Sequence, residues 1–486
     1  MKIRIIFLFQ TPAHWPSWES FYHACLNDSR FDVKIILLEG IPYYKNFSLE
    51  SNAKEFLEKN NLQYILAKDY SVKDSKPHIA VLIPNYDVLY RKPDWYSLSL
   101  KSAGVKIVYI PYGIEIQKGC GLDFYPYTIL NAWRIYTMSE AIKQEYMEYC
   151  PNRKAVRALG HPKFDSYKDL SKYKLPQEVK IKAKGRQIIL LKLHFPKEIV
   201  IGGKNTQITP HLDVYIDFFN RSGEYKNFFF ILRPHPLFLA GYSDAENQEK
   251  AKNLLEKAGH LENVYIDNSN DYRTSLVNAD AIIIDRSAIM VEAGITDVPV
   301  LYMYNSDFYE PLTPPVQKLI DSYYSGCKTE DILNFLDMLK KGEDSKRELR
   351  LRTFREVVPF LDGICGERIK NDIVQSIESQ SKKIKIVLFG LGEVLNLFIE
   401  ELGIFKNEHF EVVAFCDNNE VKWGEEIYGL KILSPKEIIY VDFDYIVVTT
   451  ENFYFEIAKK LICELNFDPR TILRLDEFWL NYWGRK

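Results

Sequence analysis

The sequence predicts an α/β protein built on parallel sheets, and three observations carry that prediction. Short, strongly apolar runs recur at 228–232 (FFFIL), 264–266, 281–284 and 298–302, separated by helical or loop segments. Runs of that kind are strands buried on both faces. The amino terminus opens as strand, helix, strand: 2–9 (KIRIIFLF), 19–26 and 31–38, a βαβ start. Polar residues follow the central strands directly: Arg233 and His235, Asp267, then Asp285, Arg286 and Ser287. In an open α/β sheet, ligands bind outside the carboxyl ends of the strands.

Length and composition set the frame. At 486 residues the chain is long enough for about three domains. A net charge of −3 provides no global field toward nucleic acid or anionic lipid. The seven cysteines are scattered with no C-x-x-C pair, which argues against zinc or a disulfide framework and fits a reducing cytoplasm. Residues 2–9 are too short and wrongly flanked for a signal peptide, and Gln10 and Pro12 end the run. No apolar run approaches the ~20 residues of a membrane span. Peripheral attachment at the inner face of a membrane stays open.

After strand one comes QTPAHWPSW, with His14, Trp15 and Trp18 where a ligand can dock or where the tryptophans simply close the domain edge. Strands are expected at 79–83, 105–110 and 134–137. The loops behind the first two are Pro84-Asn85-Tyr86-Asp87 and Pro111-Tyr112-Gly113-Ile114-Glu115. Ser139 is placed to cap a helix, with Glu140 in its first turn. In 155–165 (AVRALGHPKFD), His161 and Asp165 either approach the cleft or close a turn. The Lys-rich stretch 170–184 reads as an interdomain linker. Residues 187–193 then form a buried strand ending in His194-Phe195-Pro196. Residues 202–210 read as a mobile loop hinged at Gly202 and Gly203. Helices are expected at 211–219, 246–258, 329–340 and 345–357, the last with a basic, solvated face.

A helix is predicted to start at Ser287 and run past Glu292 to Gly294. Ser287 is a plausible N-cap, so free backbone N–H groups would face the crevice. With Arg233, Arg286 and His235 these are the parts of a diphosphate site. Prolines on both sides of His235 fix the backbone that presents it.

The pattern Pro-His-Pro, then A-D-x-x-x-x-D-x-S-x-x-x-x-E-A-G and x-x-P-V-L-Y, resembles the donor half of GT-B transferases. More closely, it resembles the CDP-glycerol glycerophosphotransferase family, the teichoic-acid-type polymerases and primases. The likeness spans about residues 1–360 in layout and is sharpest at 233–236 and 285–304. The family often has an aromatic at Arg286 and a second serine at Ala288. Its better-known polymerases have a histidine at Tyr112. The resemblance implies two Rossmann-type domains facing a cleft, 1–168 on the acceptor side and 186–335 on the donor side, with bracing helices at 336–380. It implies Asp285, Arg286, Ser287, Ala288, Tyr112 and Gly113 around the donor, and Glu292 on the ribose. Catalytic candidates are His235, Arg233, His14 and His194. His14, His161 and His194 are open choices for general base, beside Asp87 and Glu115.

Residues 383–486 form a separate unit. Strand, Gly390-x-Gly392, helix, and a second strand ending at Asp417 resemble the small Rossmann-like nucleotide-binding domains appended to bacterial glycan-assembly proteins. Leu395 stands where G-x-G-x-x-G has its third glycine, and Asp417 stands about where a ribose-binding carboxylate belongs. A module used for pairing into a homo-oligomer is the other reading. Asp442-x-Asp444 mimics a metal-binding D-x-D but precedes a strand and is read as coincidence.

The function expected is transfer of glycerol phosphate, or a related polyol phosphate, from a CDP-linked donor to a glycan or lipid-linked acceptor. No cofactor, metal or nucleic acid is required. A nucleotide-sugar glycosyltransferase, an epimerase of the same fold and a non-catalytic nucleotide-binding assembly protein are the alternatives.

Overall fold

The computed structural model describes residues 2–38, 50–83, 85–118, 126–196, 198–201, 204–236, 238–239, 245–308, 310–381, 383–400, 403–407 and 410–478. Its contacts divide the chain into two units, Met1–Asn371 and Asp372–Lys486.

The first unit holds two parallel sheets. The first contains β1 (Ile3–Phe9), β2 (Phe31–Leu37), β3 (Tyr64–Leu66), β4 (Ile79–Leu82), β5 (Lys106–Tyr109), β6 (Ala132–Thr137) and β7 (Val156–Ala158). Their order is β3-β2-β1-β4-β5-β6-β7. The chain moves outward from β1 to β3, then restarts on the other side at β4. A crevice therefore opens at the carboxyl ends of β1 and β4. Edge strands β3 and β7 are only three residues each, too short to leave a periodicity in the sequence. Trp15 and Trp18 are core, not acceptor surface: Trp18 stacks on Phe9, ring centroids 5.8 Å apart.

The second sheet uses β8 (Gln187–Leu193), β11 (Phe228–Pro234), β12 (Val264–Ile266), β13 (Ala281–Ile284), β14 (Val300–Met303) and β15 (Tyr324–Gly326). The order is β12-β11-β8-β13-β14-β15, a second Rossmann-type arrangement. Two expectations are corrected here. The stretch 202–210, expected as a mobile loop, contains β10 (Lys204–Gln207), which pairs antiparallel with β9 (Glu198–Ile201) just before it. The β-branched residues Ile199, Val200, Ile201 and Thr206 favour that extended pairing; Gly202 and Gly203 lie outside the described residues, as does Pro84. The linker 170–184 contains the helix Gln177–Ala183, whose Val179 and Ala183 are buried. Its apolar residues recur at helical spacing among the lysines and pack on the core.

One apolar cluster runs through both halves. Across it, Phe164 meets Phe354 of helix Arg347–Val357 at 6.1 Å. The following helix, Cys365–Ser381, returns to the first half. Asp165 caps it, accepting from Cys365 N at 2.9 Å and Gly366 N at 2.8 Å while Ser20 Oγ donates to the same carboxylate at 2.7 Å. Asp165 therefore closes a helix end rather than approaching the cleft.

The second unit carries β16 (Ile384–Phe389), β17 (Phe410–Cys416), β18 (Glu426–Ile427), β19 (Leu430–Leu433), β20 (Tyr445–Val448) and β21 (Ile472–Arg474). The order is β18-β19-β17-β16-β20-β21, parallel except for the β18–β19 pair. Asp442 and Asp444 lie at the amino ends of its strands, where Asp444 accepts from Lys385 N at 2.9 Å and Asp442 pairs with Lys385 Nζ at 2.6 Å. They hold the sheet edge.

Gly366 supplies the test of this packing. A Cβ there would lie 2.5 Å from Phe21 N and 2.5 Å from the Ser20 carbonyl carbon. Both are backbone and cannot rotate away. Gly366→Ala should therefore cost about 1–3 kcal/mol, read as a lower midpoint in urea unfolding; an unchanged midpoint would mean that the helix does not seat there.

Candidate active site

The carboxyl edges of the two sheets in the first unit meet. A Cβ on Gly113, after β5, would be 3.0 Å from Ala288 Cβ, after β13. Around this approach stand Tyr112 and His14 from one half, with ring centroids 5.7 Å apart. His194, His235, Arg286 and Ser287 stand on the other.

His194 follows β8 and His235 follows β11, so neighbouring strands set them side by side. Their ring centroids are 4.7 Å apart, and Phe195 lies 4.3 Å from His194 and 4.8 Å from His235. His235 is anchored by its backbone, N to Leu193 O at 2.8 Å. Burial drives both imidazoles well below their ordinary pKa. The positive Lys192 adds to this for each, with His235 and Arg286 acting on His194. Both rings are neutral at pH 7, so each offers one donor and one acceptor nitrogen. Asp285, beneath them, is buried and accepts from His194 N through both oxygens, at 2.8 and 3.0 Å. It shapes the loop that presents His194. Burial raises its pKa against the pull of Lys192.

Several expected site residues are committed to the protein itself. Arg233 donates through Nη1 to Asp267 at 2.6 Å and to Ser269 Oγ at 3.0 Å, and through Nη2 to Ser269 O at 2.6 Å. It ties β11 to the loop after β12. The helix begins later than expected, at Ile289–Glu292, and tightens into a 3₁₀ turn at Ala293–Thr296. Ser287 Oγ accepts from Ile289 N at 3.3 Å, closing a turn two residues ahead instead of capping a longer helix. Arg286 Nε donates to the buried Glu310 at 2.6 Å.

Glu292, expected on the ribose, is fully buried. Lys163 Nζ at 3.1 Å, Tyr167 OH at 2.8 Å and Tyr272 OH at 2.6 Å all donate to its carboxylate. Lys163 and Tyr167 belong to the first half, so this carboxylate ties the halves together. Burial and the Glu292 charge push both tyrosines well above their ordinary pKa. A second tie is Arg273, bonded to Asp271 of its own half and to Glu19 of the other at 2.7 Å.

The general-base candidates separate in the same way. His161 accepts from Lys163 N at Nδ1 (3.2 Å) and faces Pro111 O with Nε2 (2.8 Å). Both ring nitrogens are used, and burial takes its pKa to about 3. Asp87 is enclosed by Arg91, Ser97 and Thr128. Glu115 receives Tyr146 OH at 2.5 Å. His14 is buried beside Tyr112, its pKa lowered to about 3 by burial and by the charges of Arg91 and Lys163. Sequence reading missed Lys163, Tyr167, Tyr272 and Glu310. Lys163 follows the Gly160-His161-Pro162 turn, but nothing local marks any of the four as a partner.

The sequence model of CDP-glycerol:poly(glycerophosphate) glycerophosphotransferases matches residues 129–375, just over half of the chain. The chain belongs to that family. The matched span holds His194, His235, Arg286 and Glu292. The C2185-like N-terminal model matches residues 382–473. No curated protein matches the chain.

Three solved structures give the fold of the transferase-family unit. Staphylococcus aureus MnaA with UDP superposes with TM-score 0.55 at 14% identity, covering 79% of this chain and 99% of that one. The UDP-GlcNAc 2-epimerase of Methanocaldococcus jannaschii, with UDP-GlcNAc and UDP, gives 0.50 at 15%, covering 77% and 100%. The wall teichoic acid polymerase TagF soaked with CDPG gives 0.51 at 13%, covering 78% and 90%. The architecture is GT-B-like.

In the second unit, Gly390 adopts φ +105° and a Cβ there would be 2.7 Å from Thr450 Cγ2, so the turn requires glycine. Gly392 follows it into helix Glu393–Glu400. Asp417 does not stand open at its strand end. It accepts from Leu391 N at 3.0 Å, Asn419 N at 2.8 Å and Lys422 Nζ at 3.1 Å. Leu395 is buried in the local core, which explains a leucine in place of the third glycine. Among the described residues no His, Cys, Asp or Glu group is arranged to hold a metal ion, and no helix is long and apolar enough to cross a membrane.

Glu292 carries a stability prediction. Glu292→Ala leaves Lys163 buried without its carboxylate and should cost about 3–5 kcal/mol. Adding Lys163→Met should recover part of that. Urea unfolding of the single and double variants checks both, and a single-variant loss under about 1 kcal/mol would show that the tie does not hold the halves.

Proposed function

We propose that the first unit transfers a polyol phosphate, glycerol phosphate first among them, from a CDP-linked donor to a hydroxyl of a glycan or lipid-linked acceptor. The family match over the half that carries His194 and His235 supports this reading above any other observation. The acceptor oxygen attacks the phosphorus bearing glycerol, the bond to the bridging oxygen breaks, and CMP leaves. Negative charge spreads over the phosphoryl oxygens as this happens. Preorganised donors aimed at those oxygens lower the barrier.

His235 and His194 supply such donors. A neutral imidazole next to Lys192 gains a proton more easily once an anionic diphosphate sits against it, because the anion offsets the lysine charge. Arg286 adds a permanent cation on the adjacent strand end. His14, on the acceptor half beside Tyr112, takes the acceptor's proton in this reading late in the transfer, once bonding to phosphorus has made the hydroxyl strongly acidic; with its pKa lowered to about 3 it is too weak a base to do so earlier. His161 does not, since both of its nitrogens are bonded within the fold. Tyr112 is a hydrogen-bond donor there; with an ordinary pKa near 10 a tyrosine is a poor base at neutral pH.

The test is a donor screen with CDP-glycerol, CDP-ribitol, CMP-sugars and UDP-sugars, reading nucleotide release in the presence of a polyol phosphate acceptor. CMP released from CDP-glycerol supports the reading. Turnover of UDP-sugars alone would overturn it in favour of a nucleotide-sugar glycosyltransferase. With the active donor, His235→Ala should lower turnover by about 10²-fold or more. A folded variant with unchanged turnover would return His235 to a structural role.

A further inference from the structure

Glu310 follows β14 in a segment that grips the other half. Residues 311–313 run against 116–118: Lys118 N donates to Pro311 O at 3.1 Å, Thr313 N to Ile116 O at 2.7 Å, and Thr313 Oγ1 to Glu115 O at 3.0 Å. Gln117 and Leu312 form an antiparallel bridge between them. The clasp begins three residues beyond Gly113, which itself abuts Ala288. Glu310 is therefore held at the seam of the halves, beside the strand end that carries Arg286.

The two oxygens of Glu310 differ. Oε2 accepts from Arg286 Nε at 2.6 Å. Oε1 is buried and has no hydrogen-bond partner among the described residues. The side chain is only 2% exposed. A buried carboxylate oxygen with nothing donating to it is costly, and native proteins keep few such atoms without a reason. An oxygen aimed at a ligand hydroxyl is one such reason. It is an acceptor only, so it selects a donor group such as O–H and repels phosphate.

We propose that Glu310 is a further substrate-contacting residue of this site: Oε2 orients Arg286, and Oε1 accepts a hydrogen bond from a hydroxyl of the bound donor. This rests on the CDP-polyol reading above. The donor has two sources of that hydroxyl, the ribose and the polyol.

The experiment compares the full-length parent with Glu310→Gln, Glu310→Asp and Thr313→Val. It measures CMP affinity by calorimetry, and KM and kcat with CDP-glycerol. Glu310→Gln replaces one acceptor oxygen by an amide. It should weaken binding about tenfold, the effect of losing one hydrogen bond to a charged group, with kcat changing less. Glu310→Asp keeps the charge but withdraws it, and should do the same; it also serves if Glu310→Gln does not fold. Thr313→Val removes a clasp hydrogen bond and should not reproduce the effect. Weaker CMP binding, with no further loss for the 2′- or 3′-deoxy analogue in Glu310→Gln, assigns the ribose. Unchanged CMP binding with a raised KM for CDP-glycerol assigns the polyol. Folded Glu310 variants with both quantities unchanged, or Thr313→Val matching them, overturn the proposal and reduce Glu310 to a part of the clasp. A parent that neither binds CMP nor turns over CDP-glycerol overturns the donor reading and this one with it.

Discussion

A single buried carboxylate organises the transferase-family unit. Glu292 lies out of water with two tyrosine hydroxyls and one ammonium donating to it. An ionised group in such a place is tolerated only if its hydrogen-bonding capacity is met. Here two of the three donors come from the other half. The halves cannot separate without leaving a carboxylate and a lysine unpaired at their seam. The Arg273–Glu19 pair and the clasp at 311–313 lie along the same seam, but neither concentrates as many donors on one buried charge.

The inter-half ties share an origin. Glu19 follows β1, residues 113–118 follow β5, and Lys163 and Tyr167 follow β7. Their partners follow β12, β13 and β14. The carboxyl edges of two parallel sheets hold both the candidate site and the fasteners of the domain pair. Polar residues there divide between the two tasks. Arg233, Asp87, His161 and Glu292 fasten or shape; His194, His235 and His14 stand near the approach between the halves, as does Arg286, which is itself paired with Glu310. Burial holds the imidazoles of His14, His194 and His235 below their ordinary pKa.

The second unit shows the same division on a smaller scale. Gly390 makes a turn that only glycine accommodates easily. Asp417 then locks the Gly390–Gly392 loop to the end of β17 through Leu391 N. A carboxylate at that strand end can hold a loop as well as a ribose, and in this structure it holds the loop.

Much of the fold was legible in the sequence. β4 and β13 are continuous apolar runs, β1, β2, β8 and β11 are mostly apolar, and their spacing by helices implies parallel order. The strand-end residues Arg233, His235, Asp285 and Arg286 were legible for the same reason, since they directly follow those runs. The three-residue edge strands β3, β7 and β15 were not, because periodicity needs length; the equally short β12 was, since Val264-Tyr265-Ile266 is apolar throughout. Neither was the ribbon at β9 and β10, whose pairing depends on two short segments meeting. The roles within the site were legible least. Glu292 and its donors Lys163 and Tyr167 are 129 and 125 residues apart in sequence. Nothing within a few residues of any of them records that distance. Local sequence determined where the polar groups would stand along each strand, because backbone periodicity is a short-range property. Only the docking of one sheet against the other decided which of those groups became partners of one another, because burial and pairing belong to the packed pair of halves.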